Sequence, residues 1–92
     1  MIKSWKHKGL RKYFEKGNTA GIIVHHANRL DLLLNALDLA DSLNDLNLPS
    51  FQLHPLTGDR KRIWAISVSG NWRLTFEFND GDVHILNYED YH

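Results

Sequence analysis

Trp72-Arg73-Leu74-Thr75-Phe76-Glu77-Phe78, followed by Asn79-Asp80-Gly81-Asp82, decides the fold of this 92-residue chain. The seven residues alternate strictly. Trp72, Leu74, Phe76 and Phe78 share one face, and Arg73, Thr75 and Glu77 share the other, which is the period of a strand with one buried side. Asn79-Asp80-Gly81-Asp82 is a tight-turn sequence between alternating segments, the pattern of a β-hairpin. The strand before it spans residues 63–68, joined through Ser69-Gly70-Asn71, and the strand after it spans residues 83–88. The end of the chain is therefore an antiparallel meander.

Upstream the period changes from 2 to 3.6. Leu10, Tyr13 and Phe14 recur at helical spacing, and Gly17 is placed as a stop, which predicts a short basic helix over 9–16. Residues 1–6 are expected to form an opening strand. Residues 22–47 are expected to form one long helix that Pro49 ends. Its polar face is Asn28, Asp31, Asn35, Asp38, Ser42 and Asp45. One apolar stripe is Leu32, Ala36, Leu39, Leu43 and Leu46; a second is Leu30, Leu33, Leu37 and Ala40. Together they cover roughly 200°, wider than the ~100° that one neighbour needs. The surplus either lies between two layers or meets a partner. Phe51 to His54 is expected to be extended, since Pro55 pushes His54 out of helical geometry, and Thr57 to Arg60 to be a turn. An opening strand, two helices on one face and an antiparallel sheet make an α+β domain, and residues 1–92 form one such unit.

Composition sets limits on function. The chain has no cysteine, which excludes a disulfide framework, thiolate zinc sites, iron–sulfur clusters and a cysteine nucleophile. No apolar run is long enough to span a membrane, and no apolar core follows the basic start as a secretory signal requires, so a cytoplasmic protein is expected. The 11 basic and 11 acidic residues cancel overall but fall in blocks. Lys3, Lys6, Lys8, Arg11, Lys12 and Lys16 make the start positive, and Arg60, Lys61, Arg62 and Arg73 make a second positive stretch. Asp31, Asp38, Asp41 and Asp45 make a negative one, and the end of the chain is negative as well. Such blocks either separate into surfaces that suit charged partners or interleave into a mixed, solvated one.

Three features carry possible chemistry: His54 before Pro55, Arg73 on the outward face of its strand, and Asp90-Tyr91-His92 at the end. Cleavage of RNA by its own 2′-OH needs a base, an acid and a cation to steady the phosphorane charge. Histidine serves both proton roles near neutral pH, arginine presents a planar fork to phosphate, and tyrosine can stack or donate. No metal or cofactor is needed. Each residue also has a plainer explanation. A histidine before proline is commonly a turn residue, Arg73 can pair across strands with Glu77, and a terminal Tyr-His can be a frayed end. His25 and His26 are adjacent and diverge on a helix, so they are a poor metal pair. His7 and His84 have no companions, so no metal site is expected.

The runs Leu53-His54-Pro55-Leu56-Thr57-Gly58-Asp59-Arg60, Asn71-Trp72-Arg73-Leu74-Thr75-Phe76 and Ile85-Leu86-Asn87-Tyr88-Glu89-Asp90-Tyr91-His92 together resemble the HigB toxins of type II toxin–antitoxin systems, within the RelE-like superfamily. The similarity extends to the first residues and so covers nearly the whole chain. It implies the microbial-ribonuclease type of fold. It also implies endonucleolytic cleavage of mRNA in the A site of the 70S ribosome, which stops translation and growth. A HigA-type antitoxin would be the protein partner, and operator DNA would be bound only through that complex.

His54, Arg73, Asp90, Tyr91 and His92 match the family's catalytic positions. His54 and His92 are expected to move protons, and Asp90 to act as base or to orient a histidine. The carboxylate next to the His92 ring is expected to favour its charged form, as an acid requires. Relatives often carry lysine where this chain has Thr57, so one cation is missing from the loop, and Lys61 or Arg62 is placed to substitute. Lys6, Lys8, Arg11, Lys12, Arg60, Lys61 and Arg62 are expected to grip ribosomal RNA. Two other functions fit the same residues: a relative that binds ribosome or antitoxin without cutting, and a ribonuclease that works on free RNA.

Overall fold

The computed structural model describes residues 1–91; the expectations for His92 lie outside the described residues. Helix α1 spans Lys8–Lys16 and α2 spans Ala27–Leu39. The sheet strands are β1 (His54–Pro55), β2 (Trp64–Ser69), β3 (Trp72–Asn79) and β4 (Asp82–Asp90), in the spatial order β1-β2-β3-β4 and antiparallel throughout. The turn between β3 and β4 places Asp80 at φ 52 and Gly81 at φ 82, the pair of left-handed residues that a two-residue hairpin turn needs.

Helix α1 matches the sequence pattern. His7 Nδ1 accepts the Leu10 N–H at 2.9 Å and caps its start. Gly17 ends it at φ 71, with its N–H donated to the Tyr13 carbonyl at 2.9 Å.

The expected long helix is corrected in two places. Val24–His26 is a single 3-10 turn, and α2 stops at Leu39, where Ala40 turns extended at ψ 135. The cause at this end is local. The Asp45 carboxylate accepts the N–H of Asp41 at 2.9 Å and of Ser42 at 3.2 Å. These side-chain bonds form a capping box that starts a new 3-10 turn, Leu43–Leu46, in competition with a continuing helix. The two stripes then part company. Leu30, Leu33, Leu37 and Ala40 are buried, whereas Leu32 and Leu39 are 53% and 79% exposed.

The opening strand is also corrected. Residues 1–6 run parallel to β4 through two isolated bridges, Ile2 beside Val83 and Trp5 beside Leu86. Lys3 and Lys6 donate to the carbonyls of Val83 and Leu86, and Val83 and Leu86 donate to those of Met1 and Ser4. The pairing is interrupted because β4 bulges between these contacts: Thr75 faces Asn87, but two positions later Glu77 faces His84. Upstream of β1, Phe51 ends the 3-10 turn Pro49–Phe51 and Gln52 is left-handed at φ 51, so only His54 and Pro55 are paired as a strand.

The helices and the 43–51 segment cover one face of the sheet. Leu10, Leu30, Leu33, Leu37, Leu46 and Phe51 meet Ile66, Leu74, Phe76, Val83 and Leu86 there, all at 2% exposure or less. No helix among the described residues is long and apolar enough to cross a membrane.

Candidate active site on the open face of the sheet

Strand register builds the site. Neighbouring residues along a strand point to opposite faces, so with Leu74 and Phe76 in the core, Arg73, Thr75 and Glu77 stand on the open face. Their register partners follow. His54, Ala65, Thr75 and Asn87 form one row across all four strands, and Ser67, Arg73 and Glu89 form the next. His54 and Asn87 are three strand spacings apart, about 14 Å.

Glu89 is the centre of the second row. Its carboxylate takes both prongs of the Arg60 guanidinium, at 2.9 and 2.8 Å. It also accepts the Thr75 hydroxyl at 2.6 Å and the Asn87 amide at 3.1 Å. Hydrogen bonds from Arg60 hold the Glu89 carboxyl down to about 2; partial burial opposes this, and Thr75 and Asn87 reinforce it. The same pair raises Arg60. Arg60 reaches this point from the 3-10 turn Gly58–Arg60, and its guanidinium lies 6.0 Å from the centre of the Tyr91 ring. Its charge is thus matched inside the site and is not a free cation for RNA, which alters the role expected for it. Thr75 is polar yet only 2% exposed, and its hydroxyl bond to Glu89 explains how it is tolerated there.

His54 lies at the far edge of the first row. Its Nδ1 is 2.8 Å from the Gln52 carbonyl, which can only accept, so Nδ1 carries a proton and Nε2 is the basic nitrogen of the neutral ring. Arg73 does not project straight outward as expected. Its Nη1 donates to the carbonyls of Gly70 at 2.5 Å and Trp72 at 3.0 Å, which holds it against the β2–β3 turn. Tyr91 donates its N–H to Asn71 on the same turn, at 2.8 Å.

Asp90 and Tyr91 do not share a face. Asp90 is paired in register with Trp72, on the side of Tyr88, whereas Tyr91 lies by Arg60 on the open side. Strand alternation therefore puts Asp90 and Tyr91, both matched to catalytic positions by the resemblance, on different sides of the strand.

Of the expected RNA-gripping residues, Lys6 shares a cleft of about 140 Å³ with Arg60, Ile63, Thr75, Ile85 and Asn87. Lys61 and Arg62 line a wider depression of about 440 Å³ beside Glu77. Lys8, Arg11 and Lys12 are exposed on α1, and Arg11 is paired with Glu15 at 3.1 Å.

The covered face holds a second group of titratable residues. His26 is 9% exposed, and its Nδ1 is 2.5 Å from the Tyr88 hydroxyl. Trp72 packs on Tyr88 with ring centres 4.7 Å apart, and His7 meets Tyr88 edge-on at 5.4 Å. Burial lowers the pKa of His26, with His25 adding to the effect, and burial lowers that of His7. Among the described residues, no three histidine or carboxylate groups lie together in a way that could hold a metal ion.

Comparison with known proteins agrees with this architecture. Residues 3–92 match the family described as the RelE-like toxin of type II toxin–antitoxin system HigB. The chain is 52% identical to Endoribonuclease HigB of Proteus vulgaris over 92 residues, the whole of both chains. Two crystal structures of E. coli YafQ share the fold. The protein from strain BL21(DE3) aligns with a TM-score of 0.64 at 19% identity, and a point mutant with 0.63 at 20%. Each alignment covers 98% of this chain and 91% of the other.

Proposed function

The chain belongs to the HigB family of RelE-like toxins of type II toxin–antitoxin systems, and from that premise we propose that it is an endoribonuclease that cuts mRNA on the ribosome. The observation that carries this reading is the presence of three of the residues matched to catalytic positions on the open face. His54 arrives from one edge strand, Arg73 from a central strand and Tyr91 from the end of β4, on the side that no helix covers. The full-length likeness to an endoribonuclease points the same way.

The chemistry follows from the groups present. The 2′-OH attacks the adjacent phosphorus, and the bond to the 5′ oxygen breaks. His54, with Nε2 as its basic nitrogen, serves one proton transfer, and His92 serves the other. Arg73 steadies the charge on the phosphorane, and Tyr91 stacks or donates beside it. Asp90 acts as base or orients a histidine.

Ribosome dependence rests on electrostatics. Binding RNA strongly requires several cations to displace counterions. On the open face Arg60 is already matched by Glu89, which argues that free RNA is held weakly and that the ribosome presents the substrate. Lys8, Lys12, Lys61 and Arg62, all exposed, are placed to contact ribosomal RNA.

The toxin family implies an antitoxin partner. We assign its contact to the outer side of α2, where Leu32 and Leu39 are exposed beside Asp31; operator DNA is then reached only through the complex. Leu32→Ser with Leu39→Ser is expected to leave toxicity intact and to weaken rescue by the antitoxin. Equal rescue moves the interface elsewhere.

The function is tested by inducing wild type, His54→Ala and His92→Ala in bacteria that lack the antitoxin, with growth followed and mRNA ends mapped. Growth arrest with new mRNA ends for wild type, lost in both variants, is expected. Arrest by all three proteins without new ends means that the chain blocks ribosomes and does not cut. Cleavage of purified RNA at physiological salt without ribosomes would replace ribosome dependence with a general ribonuclease.

A further inference from the structure

Ile85 is out of place by two independent measures. Its backbone is left-handed at φ 48, a region in which a β-branched residue is strained. The residue is also 41% exposed, so burial gives little in return. Glycine or asparagine adopts this geometry more readily. The bulge that creates it is held on purpose-fit contacts: Ile85 donates its N–H to the Ser4 hydroxyl at 2.8 Å, and Leu86 donates to the Ser4 carbonyl at 3.1 Å. The result is an isoleucine presented at the cleft of about 140 Å³, with Ile63, Lys6, Arg60, Thr75 and Asn87.

We propose that this cleft binds one nucleobase of the RNA substrate, with Ile85 and Ile63 as its apolar walls and Asn87 reading the base edge. Two apolar walls suit the faces of a flat heterocycle. Lys6, an exposed lining residue, suits the phosphate attached to it, a complementarity that a purely apolar ligand does not offer. The cleft is well below the ~300 Å³ of a drug-sized pocket, which suits a single ring system and not a folded peptide. Asn87 commits one N–H to Glu89 at 3.1 Å, and an amide has further donor and acceptor positions of the kind that pair with base edges. The same carboxylate thus ties the base site to Arg60. The inference deepens the proposed RNA cleavage by naming a specificity site, and it rests on that reading.

The binding test needs no cleavage. The isoleucine methyl resonances of the full chain are followed while each of the four nucleoside 5′-monophosphates is added, with ribose 5-phosphate as the base-free control. Shifts at Ile63 and Ile85 with nucleotides, and not with ribose 5-phosphate, are expected. No shift, or equal shifts with the control, overturns the base site.

The second test is Ile85→Gly, which removes the wall and relieves the backbone together, with Ile85→Asn as a polar alternative that tolerates the same φ. Both are expected to melt no lower than wild type. Cleavage of ribosome-bound mRNA is expected to show KM raised about tenfold, the scale of losing one buried aliphatic side chain, with a broadened set of bases at mapped cut sites. A variant that cuts at the same bases with the same KM overturns the role of Ile85. If wild type cuts no RNA but the methyl shifts appear, the cleavage reading fails and the base site stands.

Discussion

Tyr88 and Glu89 are neighbours on β4 and belong to opposite sides of the molecule. Tyr88 is 4% exposed, packed on Trp72 and bonded to His26 under the helices. Glu89 lies on the open side, bonded to Arg60, Thr75 and Asn87. Both are polar, and both are satisfied, but by different means. On the covered side one short bond sits within ring packing, where apolar contact supplies most of the stabilisation. On the open side an ion pair and its hydrogen bonds hold a shape while solvent and substrate still have access. Strand alternation lets a 92-residue chain use the same backbone for stability on one side and chemistry on the other.

The comparison predicts unequal responses to two adjacent substitutions. Tyr88→Ala removes a buried ring and leaves His26 without its hydroxyl partner. It is expected to cost about 3–5 kcal/mol, in line with other large aromatic truncations, and to lower the denaturant midpoint accordingly. Glu89→Gln keeps the size but loses the charge that holds Arg60, at an expected cost of about 1–3 kcal/mol. Cleavage is expected to fall at least tenfold at temperatures where Glu89→Gln stays folded, because Arg60 and the groups around it lose their fixed geometry (about 1.4 kcal/mol on the reaction barrier). Urea unfolding and single-turnover cleavage check both. Equal loss of stability with no separate loss of activity in Glu89→Gln would erase the distinction between the faces.

Much of this division is written in the sequence, and the misreadings have physical causes. The period-2 run at 72–78 places Leu74 and Phe76 in the core and Arg73 and Thr75 on the opposite face, as found, although Thr75 is buried there. Nothing in the sequence assigns Glu89 a role beyond its place in an acidic block. Counting by twos from Val83 puts Ile85, Asn87 and Glu89 with the core, because the count does not know of the bulge. The available signal is compositional: Leu86 is aliphatic and Tyr88 carries a large ring, while Asn87 and Glu89 are wholly polar, which marks a change of parity near residue 85. The break in the 22–47 segment is a contest between two hydrogen-bonding options, helix and capping box, that apolar periodicity does not register. His26 reads in the sequence as half of a poor metal pair; its bond to a residue 62 positions away has no signature in local sequence.

Acid should separate the two faces by pH, with smaller effects than either substitution. His26 and His7 have folded pKa values below the usual 6.5, so the unfolded chain binds their protons first. Their contribution to stability is complete above about pH 6.5 and declines as the pH falls below it. Glu89 has a folded value of about 2 against an ordinary 4.5, so its contribution is complete above 4.5 and is lost as the pH falls through about 2. Melting temperature against pH should therefore decline in two phases, the covered face first and the open face second. His26→Gln should shrink the upper phase, which His7 also feeds, and leave the lower one. Glu89→Gln should remove the excess loss below pH 4.5 and leave the upper phase intact. Each substitution then reports on one side of β4, and a variant that altered both phases would mean that the sheet transmits charge between its faces.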